Sequence, residues 1–232
     1  MSNILVCDHL SKDYGAVAAL NDFNLTLESG RIVGLLGPNG SGKTTLIKIA
    51  NGLLVPTRGK ILLDGYEPGE VTKSFISYLP DANYLPGWMK IDDLLGMFLD
   101  FYQDFDMEKA KEMLQQLNLN GGTRLKALSK GNKEKVQLIL AMSRKAKIYF
   151  LDEPIGGVDP AARDYILNTI IRNYSEEALV LMSTHLIADI ERILDEVVFI
   201  NRGTAVFHRS VDEIRETERK SVDELFREVF RC

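Results

Sequence analysis

The sequence predicts an α/β fold: a mainly parallel sheet, preceded by an antiparallel β subdomain at the amino terminus and carrying an inserted helical subdomain. Three patterns carry that prediction. Residues 4–36 alternate apolar and polar positions between tight turns, as antiparallel strands with one wet face do. Ile148–Leu151 and Leu179–Met182 are unbroken apolar runs, as strands covered on both faces must be. Between Pro80 and about Arg144 the apolar residues recur three and four apart, the spacing of amphipathic helices.

Taken in order, Leu5, Val6 and Leu10 form a first run and Val17, Leu20, Phe23, Leu25 and Leu27 a second. Asp13-Tyr14-Gly15 and Glu28-Ser29-Gly30 break them. Tyr14 is an aromatic beside a turn glycine, and packing on the sheet would by itself account for it. Ile32-Val33-Gly34-Leu35-Leu36 then leads into Gly37-Pro38-Asn39-Gly40-Ser41-Gly42-Lys43-Thr44, and helical spacing follows from Thr45 to Leu53. Strand, glycine loop, helix with the pattern G-x-x-x-x-G-K-[ST] is a phosphate cradle. Its glycines let successive backbone N–H groups curl round a polyphosphate, and the helix start adds its positive dipole end. Lys43 would reach the β- and γ-phosphates, and the Thr44 hydroxyl would sit on Mg²⁺. The parallel core is therefore expected to be a P-loop NTPase core.

Thr57-Arg58-Gly59 turns into a short strand, Lys60–Asp64, and Phe75–Leu79 is another. The loop Asp81–Met89 is rich in large apolar side chains, which fits either packing onto the helices or an exposed groove for a partner. Ile91–Tyr102, Met107–Leu117 and Lys133–Arg144 are expected helices, placing a helical subdomain at about 82–145 within a single domain of residues 1–232. Leu128-Ser129-Lys130-Gly131-Asn132 opens the last of them. Ser129 is a good N-cap, and such a helix start is also a place for an anion from a second molecule.

Asp152-Glu153 follows Ile148–Leu151 directly. A carboxylate at the end of a buried strand beside a phosphate loop is placed to orient Mg²⁺, the role read for Asp152, and Glu153 is in position to polarise an attacking water. Capping the turn made by Pro154 and Gly156-Gly157 is the plainer explanation of both acids. Ala161–Tyr174 and His185–Leu194 are the expected helices around Leu179–Met182. His185, after Ser183-Thr184, stands at the carboxyl end of a core strand, where ligands of open α/β sheets bind. Val197–Ile200 and Thr204–Phe207 form an expected hairpin round Asn201-Arg202-Gly203, and Ser221-x-x-Glu224 has capping-box spacing before a last amphipathic helix.

Composition narrows the function. The 232 residues carry a formal charge of −5 and contain no Lys/Arg-dense run, which argues against a nucleic-acid footprint. The two cysteines, Cys7 and Cys232, have no metal-ligand spacing and suit a reducing cytosol. No stretch approaches the roughly 20 apolar residues of a spanning helix, so any membrane role is expected to come through a partner.

The order of these pieces resembles the ATP-binding-cassette (ABC) ATPase family over essentially the whole chain. Tyr14 is similar to the family's adenine-stacking aromatic, and Gly37–Thr44, with Thr45, to its ATP-binding Walker A loop. Leu128–Asn132 resembles the signature (Leu-Ser-Gly-Gly-Gln), Ile148–Asp152 the Walker B strand, Gly156-Gly157-Val158-Asp159 the D-loop and His185 the switch histidine. The chain departs from the family at Lys130, at Asn132 and at Asp81, where a glutamine is usual. The resemblance implies ATP and Mg²⁺ as ligands, with Thr44, Asp152 and Asp81 toward the metal and Lys43, Glu153 and His185 in catalysis. It also implies a head-to-tail homodimer or heterodimer in which Ser129, Lys130, Gly131 and Asn132 meet the other chain's nucleotide. The implied partner is a transmembrane permease that would hold this chain, itself cytoplasmic, at the cytoplasmic face of the cell membrane; the signature resembles those of multidrug or antibiotic exporters, with import left open. A soluble ATPase of this family acting on nucleic acid or ribosomes, and a non-hydrolysing regulatory subunit, are the alternatives.

Overall fold

The computed structural model describes residues 2–158 and 160–230. The alternating block forms β1 (Asn3–Tyr14) and β2 (Val17–Glu28), paired antiparallel, and β3 (Arg31–Leu36) then leaves for a different sheet. After α1 (Lys43–Ala50), β4 (Arg58–Leu63) returns to pair antiparallel with β1, closing a three-stranded sheet in the order β2-β1-β4. A one-turn helix α2 (Glu70–Lys73) precedes β5 (Ile76–Leu79). Three helices follow, α3 (Ile91–Phe101), α4 (Met107–Gln116) and α5 (Lys130–Met142).

The chain then builds the rest of the second sheet with β6 (Ile148–Asp152), α6 (Pro160–Asn173), β7 (Leu179–Thr184), α7 (Ile187–Ile190), β8 (Glu196–Asn201) and β9 (Thr204–Ser210). It ends in α8 (Val211–Thr217) and α9 (Val222–Val229). The six strands are ordered β5-β6-β7-β3-β8-β9, parallel except for β9, which forms the expected hairpin with β8.

Period-two alternation splits the apolar runs between two cores. Tyr149, Leu151, Val180 and Met182 face one side with Ile32 and Leu36, packing against α3 to α6. Ile148, Phe150, Leu179 and Leu181 face the other with Val33 and Leu35, where α1, β1, β2 and β4 cover them. Two covered faces are why these strands read as unbroken apolar sequence, and full burial of a side chain such as Phe150 contributes roughly 1.5–3 kcal/mol.

The helices begin where local chemistry stops other structure. Asp106 caps α4 by accepting the Lys109 N–H at 3.1 Å. Ser221 and Glu224 cap α9 reciprocally, at 3.2 and 2.8 Å, which seats Phe226 edge-on to Phe199.

Two expectations need correction. The helix read at Lys133 starts three residues earlier, at Lys130, because Ser129 caps it. The helix read over His185–Leu194 is only the single turn α7 followed by a 3₁₀ turn, Glu191–Ile193. The Thr184 hydroxyl accepts the Leu186 N–H at 3.0 Å and holds His185 outside any helix. α8 has no expectation behind it, although Ser210, which accepts the Glu213 N–H at 3.1 Å, has the same S-x-x-E spacing as Ser221.

The loop entering α3 divides between its two readings. Met89 is buried and Leu85 packs on the helical core, whereas Tyr84 and Trp88 are 47% and 73% exposed. Among the described residues no helix is long and apolar enough to cross a membrane.

Candidate active site

β3, β6 and β7 are neighbours, and their carboxyl ends deliver the site. The loop after β3 keeps its shape only with glycine in place. A Cβ on Gly37 would lie 2.3 Å from the Ile200 carbonyl, and Gly42, at φ +112°, would drive one to 2.5 Å from the Ala19 carbonyl. Pro38, Asn39 and Gly40 stand exposed at the tip, while Ser41, Gly42 and Lys43 are buried. The Ser41 hydroxyl is buried without a hydrogen-bond partner.

Lys43 opens α1 and folds its ammonium back into the loop, donating to the carbonyls of Gly37 at 2.7 Å and Pro38 at 3.2 Å. Burial holds its pKa below the usual lysine range, with the charges of Glu153 and Asp152 pulling it back up. Such an ammonium gains by exchanging two carbonyls for a phosphate anion.

Asp152 ends β6 at 1% exposure. Its Oδ1 accepts the Ser183 hydroxyl at 2.5 Å and the Thr44 hydroxyl at 3.2 Å, leaving Oδ2 buried and unpartnered. Burial raises its pKa, the two hydroxyls lower it, and the charges of Asp81 and Glu153 raise it again. Glu153 sits at φ +51°, the left-handed region, and its Oε2 lies 3.0 Å from His185 Nδ1. Asp152, Glu153 and Asp81 line one small cavity of about 30 Å³, room for a water molecule. Among the described residues no group of three or more His, Cys, Asp or Glu is placed to hold a metal by itself.

The structure thus brings Lys43, Thr44, Asp152, Glu153 and His185 to one place, Thr45 following in the first turn of α1. It leaves two sets apart. Tyr14 ends β1 half exposed, with the Lys12 ammonium 5.4 Å from its ring centre. Ser129, which accepts the Asn132 N–H at 3.3 Å, opens with Lys130 and Gly131 onto a separate cavity of about 370 Å³, shared with Gly157 and Val158. There Lys130 pairs with Glu134 at 3.8 Å. Asp159 lies outside the described residues. A larger cavity, about 1140 Å³, sits at the opposite ends of β6 and β7 and contains none of these groups.

Residues 20–156, more than half of the chain, match the ABC transporter family. This chain belongs to that family. The cassette is an ATPase of the ABC type, and relatives of it are named ABC transporter ATP-binding proteins. It is 30% identical to the ABC transporter ATP-binding protein YtrB of Bacillus subtilis, over 89% of this chain and 72% of that one. With the uncharacterised ABC transporter ATP-binding protein YxlF of the same organism it shares 31% identity over 94% and 75% of the respective chains. Among solved structures, the ATP-binding subunit of an ABC transporter superposes with a TM-score of 0.88 at 29% identity, covering 97% of this cassette and 99% of that chain. A dimeric cassette in a post-hydrolysis state with ADP and Pi has the same fold, at a TM-score of 0.78 and 20% identity over 89% and 98% of the two chains.

Sequence reasoning passed over Ser183, whose hydroxyl donates to the Asp152 carboxylate and accepts the Glu153 backbone N–H. A serine interrupting the apolar run Leu179–Met182 as it reaches the site was the available signal.

Proposed function

We propose that this cassette binds MgATP on the Gly37–Thr45 loop, pairs head-to-tail with a second cassette, and hydrolyses the nucleotide to drive a separate membrane permease. The second cassette is its own copy or a related one. The observation that carries the reading is the convergence of Lys43, Thr44, Asp152, Glu153 and His185 beside two buried polar atoms, Ser41 Oγ and Asp152 Oδ2, that have no partner in the protein. Beside a phosphate loop, a bound nucleotide and its cation are partners that would satisfy two such buried groups.

The donors fit Mg²⁺, which prefers one or two protein oxygens and takes the rest of its shell from phosphate and water. Thr44 Oγ1 and Asp152 Oδ2 would hold it, and when bound it supplies charge neutralisation at the phosphates. Around it this chain's residues act by position. The loop N–H groups and Lys43 grip the triphosphate and oppose the charge growing on the γ-phosphoryl oxygens. Glu153 accepts a hydrogen bond from the attacking water and draws off its proton. His185, fixed by Glu153, offers its ring to the γ-phosphate. Ser129, Lys130, Gly131 and Asn132 reach the nucleotide of the other cassette. Convergence of every hydrolytic group in one chain argues against a purely regulatory subunit. Magnesium-dependent phosphate release by the purified chain is the direct test; its absence, with and without the permease, would end this reading.

Tyr14 is the adenine platform in this proposal. Stacking of a base on an aromatic is worth roughly 1–3 kcal/mol, so Tyr14→Ala should weaken nucleotide binding about tenfold while Tyr14→Phe does not. Calorimetric titration with ATP in EDTA checks this, and unaltered affinity in the alanine variant would remove Tyr14 from the site.

The permease is proposed to dock at the Tyr84–Met89 loop, on the cytoplasmic face of the membrane. Tyr84 and Trp88 are exposed there, and Tyr84 borders a cavity of about 460 Å³ with Leu53, Phe98 and Tyr102. Trp88→Ala should leave phosphate release unchanged and abolish co-purification with a helix-rich membrane protein. Retained co-purification would move the interface elsewhere. Export is the proposed direction, on the likeness of Leu128-Ser129-Lys130-Gly131-Asn132 to the signatures of exporter subunits.

A further inference from the structure

β7 runs between the loop strand β3 and the acid strand β6. Ser183, its fifth residue, is in register with Leu35 on one side and Asp152 on the other. It is fully buried, as is Thr184 after it, where the strand's four apolar residues Leu179–Met182 end. Its hydroxyl makes two bonds, one to each neighbouring acid. It donates to Asp152 Oδ1 at 2.5 Å and accepts the backbone N–H of Glu153 at 3.1 Å. The same N–H reaches the Ser183 carbonyl at 3.0 Å. A hydroxyl has one proton and two lone pairs, so both bonds form together without conflict.

Each bond has a geometric effect. Because Ser183 and Thr44 both occupy Oδ1 of Asp152, the carboxylate is fixed in rotation and Oδ2 is the oxygen left open. Because Ser183 holds the Glu153 amide through two atoms, it anchors that residue at φ +51°, a conformation a non-glycine residue keeps only when its surroundings dictate it. From this backbone the Glu153 side chain reaches His185.

We propose that Ser183 is the positioning residue of this site, one buried hydroxyl that sets which oxygen Asp152 offers to a metal ion and where Glu153 aims its carboxylate. The inference rests on the MgATP reading given above and adds a residue to it. Ser183 touches the two acids rather than the reacting atoms.

The test compares the unmodified 232-residue chain with Ser183→Ala and Ser183→Cys, the second keeping the site nearly filled while offering only a weak donor. Three quantities are read: kcat and KM for ATP, Mn²⁺ affinity of the ADP-loaded protein by electron paramagnetic resonance, and nucleotide affinity in EDTA. Loss of an outer partner of a metal ligand costs about 10- to 100-fold in metal affinity or activity, and both variants should fall in that range for kcat and for Mn²⁺. Nucleotide affinity in EDTA should not change, since the loop is untouched. Wild-type kcat and Mn²⁺ affinity in either variant overturns the proposal. So does a loss of EDTA-phase nucleotide binding that matches the loss of kcat, which would make Ser183 a mere packing residue. Should the unmodified chain fail to turn over ATP, the MgATP reading falls, while the Mn²⁺ comparison still decides the role of Ser183.

Discussion

Glu153→Gln is expected to keep ATP affinity and to lose turnover by a factor of at least ~100, within the range of a general base and equal to about 2.7 kcal/mol of barrier. Glutamine has the shape of glutamate, makes the same backbone demands at φ +51°, and can still bond His185 across the 3.0 Å that separates the pair. Lys43 and the loop donors that would hold nucleotide are not altered. What disappears is the capacity to take a proton from water. With hydrolysis stalled, the proposed pair of cassettes should accumulate under saturating ATP and Mg²⁺ and elute as a dimer, dispersing when nucleotide is withdrawn. Single-turnover phosphate release and size-exclusion chromatography with and without ATP read the two effects. Near-normal hydrolysis would remove Glu153 from its role, and a variant that stays monomeric at saturating nucleotide, alone and with a candidate companion cassette, would remove the head-to-tail pair.

How legible these features were in the sequence follows from the range of the interactions behind them. The phosphate loop is spelled locally. Gly37 and Gly42 sit where the Ile200 and Ala19 carbonyls leave no room for a Cβ, so steric necessity is written as a run of glycines. Asp152 and Glu153 were legible because a strand covered on both faces reads as continuous apolar sequence and its abrupt acidic end marks the carboxyl end of the strand. Ser183 was not, since its meaning lies in a partner 31 positions away across β6 and β7. The break after β7 was missed because Thr184 spends its hydroxyl on the Leu186 amide, a local competitor that apolar periodicity does not register. In the loop at 84–89 composition could not say which side chains find a pocket. Met89 does and Trp88 does not.

Asp152→Asn should separate stability from activity. The carboxylate is 1% exposed, one of its oxygens has no partner, and its pKa is raised by burial first and by the charges of Asp81 and Glu153 as well. A carboxyl whose pKa is higher folded than unfolded binds more protons in the native state, so it lowers stability as pH rises from its ordinary value of 3.8 to the raised one. Above that window the cost is fully present. Asparagine removes the charge, keeps an oxygen for the Ser183 and Thr44 hydroxyls, and turns its amide toward the open side. In EDTA at neutral pH the variant should therefore melt above the unmodified protein, and the gap should close as acid protonates Asp152. Without the anion, the site loses the ligand that would neutralise Mg²⁺, and turnover should drop on the order of 100-fold or more, since metal charge supplies several kcal/mol in such sites. Thermal melting in EDTA at two pH values, beside phosphate release with Mg²⁺, separates the two outcomes. A variant that melts lower would mean that the hydroxyls stabilise the buried carboxylate more than burial and its acidic neighbours destabilise it. A variant that melts higher yet is inactive fits an anion held at the expense of stability until a cation arrives, the trade expected where a binding site rather than a core has shaped the strand end.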